Sequence, residues 1–136
     1  MTASVLLDTQ ILLWLRLLPQ NLTEVERSAI ESASLRYVSA ASLWEIAVLL
    51  GLGRIRAPSP EAGASLLAVP RGFELLGITP EHCRSYQSLP LRHRDPFDRM
   101  LIAQARVEEA TLIARDRAMR GYEEDGLALL ETARRL

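Results

Sequence analysis

Residues 93–105 read His-Arg-Asp-Pro-Phe-Asp-Arg-Met-Leu-Ile-Ala-Gln-Ala, a polar start that turns into an apolar run. Pro96 suits the first position of a helix, because proline lacks the N–H that would be unpaired there and its φ is already helical. Asp95 is then the N-cap, and Asp98 is the third helical residue. The residues from Met100 onward predict a buried helix wall. This stretch alone leaves open whether Asp98 is a second capping residue or a functional carboxylate.

Short apolar runs alternate with helical patterns along the rest of the chain. The strands are predicted at Ser4–Leu7, Tyr37–Ser39, Phe73–Ile78 and Thr111–Ala114, with Leu127–Leu130 as a candidate for a fifth. The helices are predicted at Thr9–Leu18, Thr23–Ser34, Ala41–Leu50 and Glu61–Val69, from Pro80, from Pro96 and from Arg117 onward. This alternation predicts an α/β fold with a mainly parallel sheet covered by helices on both faces. A length of 136 residues predicts one domain, residues 1–136.

The composition is that of a globular protein, with 49% apolar and 24% charged residues. A formal charge of −1 excludes a global basic field, although all 16 basic residues are arginines, which suit phosphate. Cys83 is the single cysteine, so a disulfide within the chain is excluded. The apolar run Val5–Leu18 contains Asp8 and Arg16 and is too short to span a bilayer, and we therefore expect a cytoplasmic protein.

Two carboxylates follow predicted strands. Asp8 comes directly after the first strand, and Asp116 comes two residues after the strand that ends at Ala114. Ligands of parallel sheets bind outside the carboxyl ends of the strands, where both side chains are expected. Either residue could instead be only the N-cap of the helix that follows it.

Glu45 lies in the middle of an apolar predicted helix. It is the only charged residue between Arg36 and Arg54, and the residues three and four positions away from it carry no charge. A lone carboxylate on an apolar helix is costly unless it is paired or binds a cation. The spacing therefore favours a functional carboxylate over a chance exposed residue.

Asp8, Glu45, Asp98 and Asp116 together predict a metal site built from oxygen ligands. One cysteine and two histidines do not supply the ligand set of a typical zinc site. Carboxylates suit Mg²⁺, with Mn²⁺ as a substitute. A divalent ion beside arginines such as Arg99 and Arg115 is suited to phosphodiester cleavage, in which the metal activates water and neutralises phosphate charge.

Four motifs in register resemble the PIN-domain family, and closely the VapC-type toxin ribonucleases of bacterial toxin–antitoxin pairs. The motifs are Leu6-Leu7-Asp8-Thr9, the segment 38–47, the segment 93–105 and Leu112-Ile113-Ala114-Arg115-Asp116. Together they cover residues 4 to about 122. One such motif is a weak signal, whereas four in order and spacing are specific.

The resemblance implies a PIN-like (Rossmann-like) three-layer α/β/α sandwich. It implies that the catalytic and metal-binding residues are Asp8, Glu45, Asp98 and Asp116, around Mg²⁺. It also implies endonucleolytic cleavage of RNA, inhibition by a cognate antitoxin protein and a homodimer. We interpret Asp95 as a helix cap beside this pocket, and Arg99 and Arg115 as candidates for contact with RNA phosphates.

The chain departs from the family pattern at two positions. Gln10 stands where many close relatives carry histidine, and Ala114 stands where serine or threonine often precedes the last Arg-Asp pair. Neither change removes a carboxylate, so the departures put affinity or rate in doubt more than the function.

Three other functions are compatible with a parallel sheet and an acidic pocket. A phosphorelay receiver domain needs a lysine near its acidic pocket, and the chain has none. A haloacid-dehalogenase-like phosphatase needs an aspartate at position 10, which is glutamine. The remaining alternative is a catalytically inactive PIN-fold protein that binds RNA or a partner, and the presence of all four acids argues against it.

The apolar helix Ala41–Leu50 is a candidate for contact with a second copy or with an antitoxin. The same holds for four apolar residues near the amino terminus, namely Ile11, Leu12, Trp14 and Leu15. For most of these residues packing in the core is the favoured alternative.

Overall fold

The structure, a computed structural model, describes residues 4–130 and contains a five-stranded parallel sheet. The strands are β1 (Val5–Leu7), β2 (Arg36–Ser39), β3 (Glu74–Leu76), β4 (Thr111–Ile113) and β5 (Ala128–Leu129). Their order in the sheet is β3-β2-β1-β4-β5. The chain therefore builds outward from β1 to β3 and then crosses to the other side of β1. The point where the direction reverses lies between β1 and β4, which is where parallel sheets bind ligands.

Helices connect the strands. The α-helices are α1 (Thr9–Leu17), α2 (Glu24–Ser32), α3 (Ala40–Gly51), α4 (Pro60–Leu66), α5 (Pro80–Ser88) and α6 (Pro96–Glu108), and 3₁₀ segments cover Pro19–Asn21 and Arg117–Asp125. The sequence signals at several helix starts are confirmed. Thr23 and Glu26 form a reciprocal capping box on α2, and proline occupies the first turn of α5 and α6.

The two faces of the sheet bury separate apolar clusters. Leu6 of β1 and Leu112 of β4 pack with α6 on one face. Val5, Leu7 and Ile113 pack on the other face with α1, α2 and α3. Successive strand residues point to opposite faces, so a strand covered on both sides is apolar throughout. The predicted α/β/α sandwich is confirmed.

Several helices and strands are shorter in the structure than the sequence predicts. Helix α4 ends at Leu66 rather than Val69, because Pro70 disfavours helical backbone in the residue before it. Strand β3 keeps three residues of the predicted Phe73–Ile78, since it pairs at the sheet edge only with residues 37–39. The segment from Arg117 is a 3₁₀ helix and not an α-helix. Of the candidate strand Leu127–Leu130, Ala128 and Leu129 pair with β4.

Some of the proposed contact residues belong to the core. Ile11 and Leu12 are fully buried, as the favoured alternative predicted. Helix α3 and its C-cap residue, in contrast, expose Trp44, Val48 and Leu52 at four-residue spacing. None of the helices in the described part of the chain is long and apolar enough to cross a membrane.

A buried polar network joins α3, α5 and α6 beneath the sheet edge. The Ser39 hydroxyl donates to Gln104 Oε1 at 2.5 Å, and Gln104 Nε2 donates to the Gly77 carbonyl at 3.3 Å. His82 Nδ1 accepts from the Thr79 N–H, so that its Nε2–H donates to Glu108 at 2.8 Å. Ser39, His82 and Gln104 are fully buried. The network fixes α3 against α6, the two helices that carry Glu45 and Asp98.

Replacing Gln104 with alanine should leave the buried Ser39 hydroxyl without its acceptor. We expect Gln104→Ala to lower the free energy of unfolding by about 1–3 kcal/mol, the cost of an unsatisfied buried polar group. Urea denaturation measures the change, and Gln87→Ala, on an exposed position of α5, is the control. Equal midpoints for the two variants would contradict a stabilising role of the network.

Candidate active site

Asp8 and Asp116 lie together at the edge of the sheet where β1 and β4 end. Asp8 caps α1, because its Oδ1 accepts a hydrogen bond from the Ile11 N–H at 2.8 Å. Asp116 caps the 3₁₀ segment through its Oδ1, which accepts from the Ala118 N–H at 2.9 Å. In both side chains the capping bond uses one oxygen. The cap and the functional interpretation are therefore compatible, since the second oxygen of each carboxylate is left for another partner.

Asp95 and Asp98 divide the tasks at the start of α6. Asp95 is the cap, as predicted, and its Oδ1 accepts from the N–H groups of Phe97 and Asp98 at 2.9 and 3.4 Å. Because the cap is already supplied, the Asp98 carboxylate can extend into the space between α6 and β4. Its Oδ2 lies 2.8 Å from His93 Nε2.

Glu45 extends from the middle of α3 toward the same space. Its side chain is partly buried, and its Oε1 is a buried atom with no hydrogen-bond partner. The nearby Thr9 hydroxyl favours the charged form of the carboxylate. Glu45 is thus a partly buried carboxylate whose Oε1 has no hydrogen-bond partner, on the apolar helix where its isolation in the sequence indicated a functional side chain.

These side chains line one cleft of about 310 Å³. We call it the acidic cleft, and its carboxylates are Asp8, Glu45, Asp95, Asp98 and Asp116. The four predicted acids come from four different parts of the chain and are brought together as expected. Gln10 also lines the cleft, so the first departure from the family pattern lies at the site. Ala114, the second, is fully buried beneath it.

Burial and mutual repulsion raise the pKa values of the clustered carboxyl groups. Burial is the largest cause of the raised pKa of Asp8, about 7, with repulsion from Asp98, Glu45 and Asp116 adding to it against the hydrogen bond from Ile11. The pKa of Asp98 is raised to about 6 by burial and by the Asp95 charge, against the opposing influence of His93. Burial also raises the pKa of Glu45. The cleft therefore holds its negative charges at a cost in free energy.

His93 is a member of the site that sequence reasoning missed. Its Nε2 lies 2.8 Å from Asp98 Oδ2 and 3.1 Å from Asp116 Oδ2. Within the described residues, His93, Asp98 and Asp116 form a group whose potential ligand atoms all lie within 4.8 Å of one another. The prediction of a purely oxygen site set both histidines aside. The available signal was the position of His93 two residues before the cap of α6.

Arg115 is held firmly beside the acidic cleft. Its Nε and Nη2 donate to the two carboxylate oxygens of Glu26 at 2.7 and 2.6 Å, and its Nη2 also donates to the Asn21 carbonyl at 2.5 Å. Its guanidinium lies over the Trp14 ring, 4.4 Å from the centroid. Glu26 is fully buried, so the arginine is fixed to the core of the protein.

Arg99 occupies a different setting. Its guanidinium is buried and donates to the carbonyls of Leu89 and Pro90 and to the Tyr122 hydroxyl. It also lies over the Tyr86 ring, 4.9 Å from the centroid. This geometry favours a structural role. Of the two arginines predicted to contact RNA, it is Arg115 that lines the cleft, and contact of either with RNA stays a prediction.

The site can be compared with known proteins. The PIN domain family model matches residues 5–124. Ribonuclease VapC22 of Mycobacterium tuberculosis is 32% identical over 120 residues, which cover 88% of this chain and 92% of the relative. VapBC2 from Rickettsia felis, solved bound to a DNA fragment from its promoter, matches with a TM-score of 0.68 at 16% identity over 93% of this chain and 96% of that chain.

Two further solved structures share the fold. DNA-bound VapBC from Salmonella typhimurium matches with a TM-score of 0.68 at 16% identity, covering 94% of this chain and 97% of that chain. FitAcB from Neisseria gonorrhoeae matches with a TM-score of 0.65 at 18% identity, covering 97% and 99%. The family model spans nearly the whole described chain and includes every carboxylate of the acidic cleft. The protein belongs to the PIN domain family.

Proposed function

We propose that this protein, as a single PIN domain of residues 1–136, is a Mg²⁺-dependent endoribonuclease and the toxin of a toxin–antitoxin pair. The observation that carries the proposal is the convergence of Asp8, Glu45, Asp98 and Asp116 in one cleft at the switch point of the sheet. The similarity to a relative named as a ribonuclease supports the choice of RNA as substrate. We place the protein in the cytoplasm, where it would meet RNA.

The residues present fit a hard divalent cation. Carboxylate oxygens are the ligands that Mg²⁺ prefers, and Mn²⁺ accepts the same set. The buried Oε1 of Glu45 has no partner that a cation would have to displace. Burial first, and repulsion between the carboxylates second, raise the pKa values of Asp8 and Asp98, and a bound cation would offset both costs. We assign the ion to Asp8, Glu45, Asp98 and Asp116.

The bound ion would activate a water molecule and neutralise charge on the scissile phosphate. The protein's own residues orient the reaction. The capping bonds to Ile11 and Ala118 fix the directions of Asp8 and Asp116 before RNA arrives. Arg115, held by Glu26 and Trp14, presents a positive charge at the cleft wall for an RNA phosphate. We assign this contact to Arg115 ahead of Arg99, whose guanidinium already has three protein acceptors.

A protein partner follows from the neighbours and from the surface. The Rickettsia felis and Salmonella typhimurium structures are VapBC complexes, and another neighbour is a toxin–antitoxin complex from Klebsiella pneumoniae. The exposed side chains of Trp44 and Val48 on α3, and of its C-cap residue Leu52, form an apolar face suited to a protein contact. We infer a cognate antitoxin and a homodimer.

The function is tested by RNA cleavage and by growth. Purified protein should cleave RNA with Mg²⁺ or Mn²⁺ and lose the activity in excess chelator, and its induction should arrest growth of a bacterial host. Asp8→Asn and Asp98→Asn should abolish both effects, because asparagine can still cap a helix but cannot supply the charge that the ion needs.

Glu81→Gln, in the exposed first turn of α5, is the control and should keep both effects. Cleavage that persists in chelator would contradict the metal mechanism. RNA binding without cleavage, with growth arrest equal for wild type and Asp8→Asn, would favour the inactive RNA- or partner-binding protein.

Metal-free protein should become less stable as the pH rises. A carboxyl group whose pKa is raised by folding binds its proton more tightly in the folded state, so its stabilising effect is full below about pH 4 and is lost as the pH passes the folded value. For Asp8 that value is about 7, with Asp98, Glu45, Asp116 and Arg115 as the charged neighbours that act on it.

Urea denaturation of wild type and Asp8→Asn in chelator, between pH 4 and pH 8, measures this dependence. The asparagine keeps the cap of α1, and the stability of Asp8→Asn relative to wild type should increase across this range. A difference that stays constant with pH would show that Asp8 titrates normally.

Removing the charge of Glu45 should stabilise the metal-free fold and weaken metal binding. Glu45→Gln relieves the burial of a charge in the cleft, with a gain of about 0.5–2 kcal/mol, the usual range for a stabilising substitution. The shift in melting temperature on adding Mg²⁺ should shrink, because that shift reflects metal bound to the folded state.

Paired melting curves of wild type and Glu45→Gln, with chelator and with Mg²⁺, give both quantities. Glu61→Gln on the exposed start of α4 serves as the control for loss of a glutamate charge. Identical metal-induced shifts in wild type and Glu45→Gln would remove Glu45 from the site.

A further inference from the structure

We propose that His93 is a nitrogen ligand of the divalent ion, beside Asp98 and Asp116, and that it shifts the metal preference of the site from Mg²⁺ toward Mn²⁺ and Co²⁺. The inference rests on the proposed metal-dependent function and changes its chemistry. Carboxylate and water ligands suit Mg²⁺, whereas an imidazole favours the transition metals. The identity of the residue at position 93 would then determine which ion the protein uses.

The first observation that supports the proposal is the spacing of His93, Asp98 and Asp116. His93 Nε2 is 2.8 Å from Asp98 Oδ2 and 3.1 Å from Asp116 Oδ2. Neighbouring ligands around an octahedral ion with bonds of about 2.1 Å are about 3 Å apart. The imidazole nitrogen therefore lies from each carboxylate oxygen at the separation of neighbouring ligands on one ion, and all three atoms lie within 4.8 Å of one another.

The second step is that the backbone of His93 is fixed. The N–H groups of Arg92 and His93 both lie 3.0 Å from the Tyr122 hydroxyl, which donates to the Pro90 carbonyl at 2.9 Å. Arg99 Nη1 reaches both that carbonyl and that hydroxyl. Tyr122 is fully buried and Arg99 is 8% exposed. The loop that carries His93 is thus anchored to the core.

This anchoring indicates a structural role for the buried Arg99, which is to position His93. Arg99 and Tyr122 do not line the acidic cleft themselves, but they hold the loop that carries His93, whose imidazole reaches Asp98 and Asp116. Both are positioning residues that act through His93. An imidazole held in place by the backbone loses little conformational freedom on binding an ion, so its contribution to affinity is retained.

One alternative interpretation gives the opposite result. His93 could serve only as a hydrogen-bonding partner that occupies the space between Asp98 and Asp116 and leaves when the ion binds. Removal of a ligand weakens metal binding, whereas removal of a competitor strengthens it. The sign of the change in affinity separates the two.

The experiment is calorimetric titration of the metal-free protein with Mg²⁺, Mn²⁺ and Co²⁺ in the absence of RNA. We expect His93→Ala and His93→Gln to weaken binding of Co²⁺ and Mn²⁺ by about tenfold or more, and that of Mg²⁺ less, so that discrimination between the ions falls. Tyr122→Phe, which removes the anchoring oxygen, should also weaken binding of Co²⁺ and Mn²⁺ more than binding of Mg²⁺, but by a smaller factor than the His93 substitutions. Tyr37→Phe in β2 is its control.

A spectroscopic measurement gives a second readout. The chain has two histidines, so ¹⁵N NMR resolves both imidazoles, and His93→Gln assigns their signals. One equivalent of Zn²⁺ should shift the Nε2 signal of His93 and leave that of the fully buried His82 unchanged.

The outcomes separate this proposal from the proposed function. If the wild type binds none of the ions, both fail. If it binds metal and cleaves RNA while His93→Ala binds all three ions equally well or more tightly, or if the His93 signal does not move when Zn²⁺ binds, the ligand role of His93 alone is overturned.

Discussion

The burial of several carboxylates in one cleft, together with the repulsion among them, is the constraint on which the site depends. Asp8, Glu45 and Asp98 all have raised pKa values, and burial is the largest cause for each. A core under no functional demand has no reason to hold several acids in one partly buried cleft, because each adds to the cost of the others. The rest of the fold must therefore hold these carboxylates in place against that cost.

The N-termini of the helical segments hold several of these carboxylates in place. Asp8, Asp95 and Asp116 each accept a backbone N–H at the beginning of a helical segment, where the N–H groups also provide partial positive charge. A capping bond fixes one oxygen of a carboxylate and thereby sets the direction of the other. For Asp8 and Asp116, serving as a cap and serving as the proposed metal ligand are therefore compatible, because the capping bond orients the oxygen that would bind the ion.

Much of this arrangement could be predicted from the sequence, because it follows local rules. The position of Asp8 after an apolar strand and the isolation of Glu45 on an apolar helix each indicated where the side chain would lie. The contacts of His93 and Arg99 could not be predicted in this way. His93 meets Asp116 across 23 residues and Tyr122 across 29, and Arg99 meets Tyr122 across 23, so that only the folded chain brings them together. Helix type at Arg117 likewise depended on packing and not on the pattern.

A bound cation would explain how an acidic cleft can accept a polyanion. The guanidinium of Arg115 carries a positive charge at the cleft wall, but it is paired with the fully buried Glu26, so the pair adds no net positive charge to the cleft. The value of Arg115 lies in its fixed position, held by two hydrogen bonds to Glu26 and by the Trp14 ring. The cleft as a whole stays negative and repels RNA until a cation occupies it. Under the proposed function, a cation in the cleft is therefore a condition for RNA binding as well as for cleavage, and Arg115 would orient an RNA phosphate once the cation has reduced the repulsion.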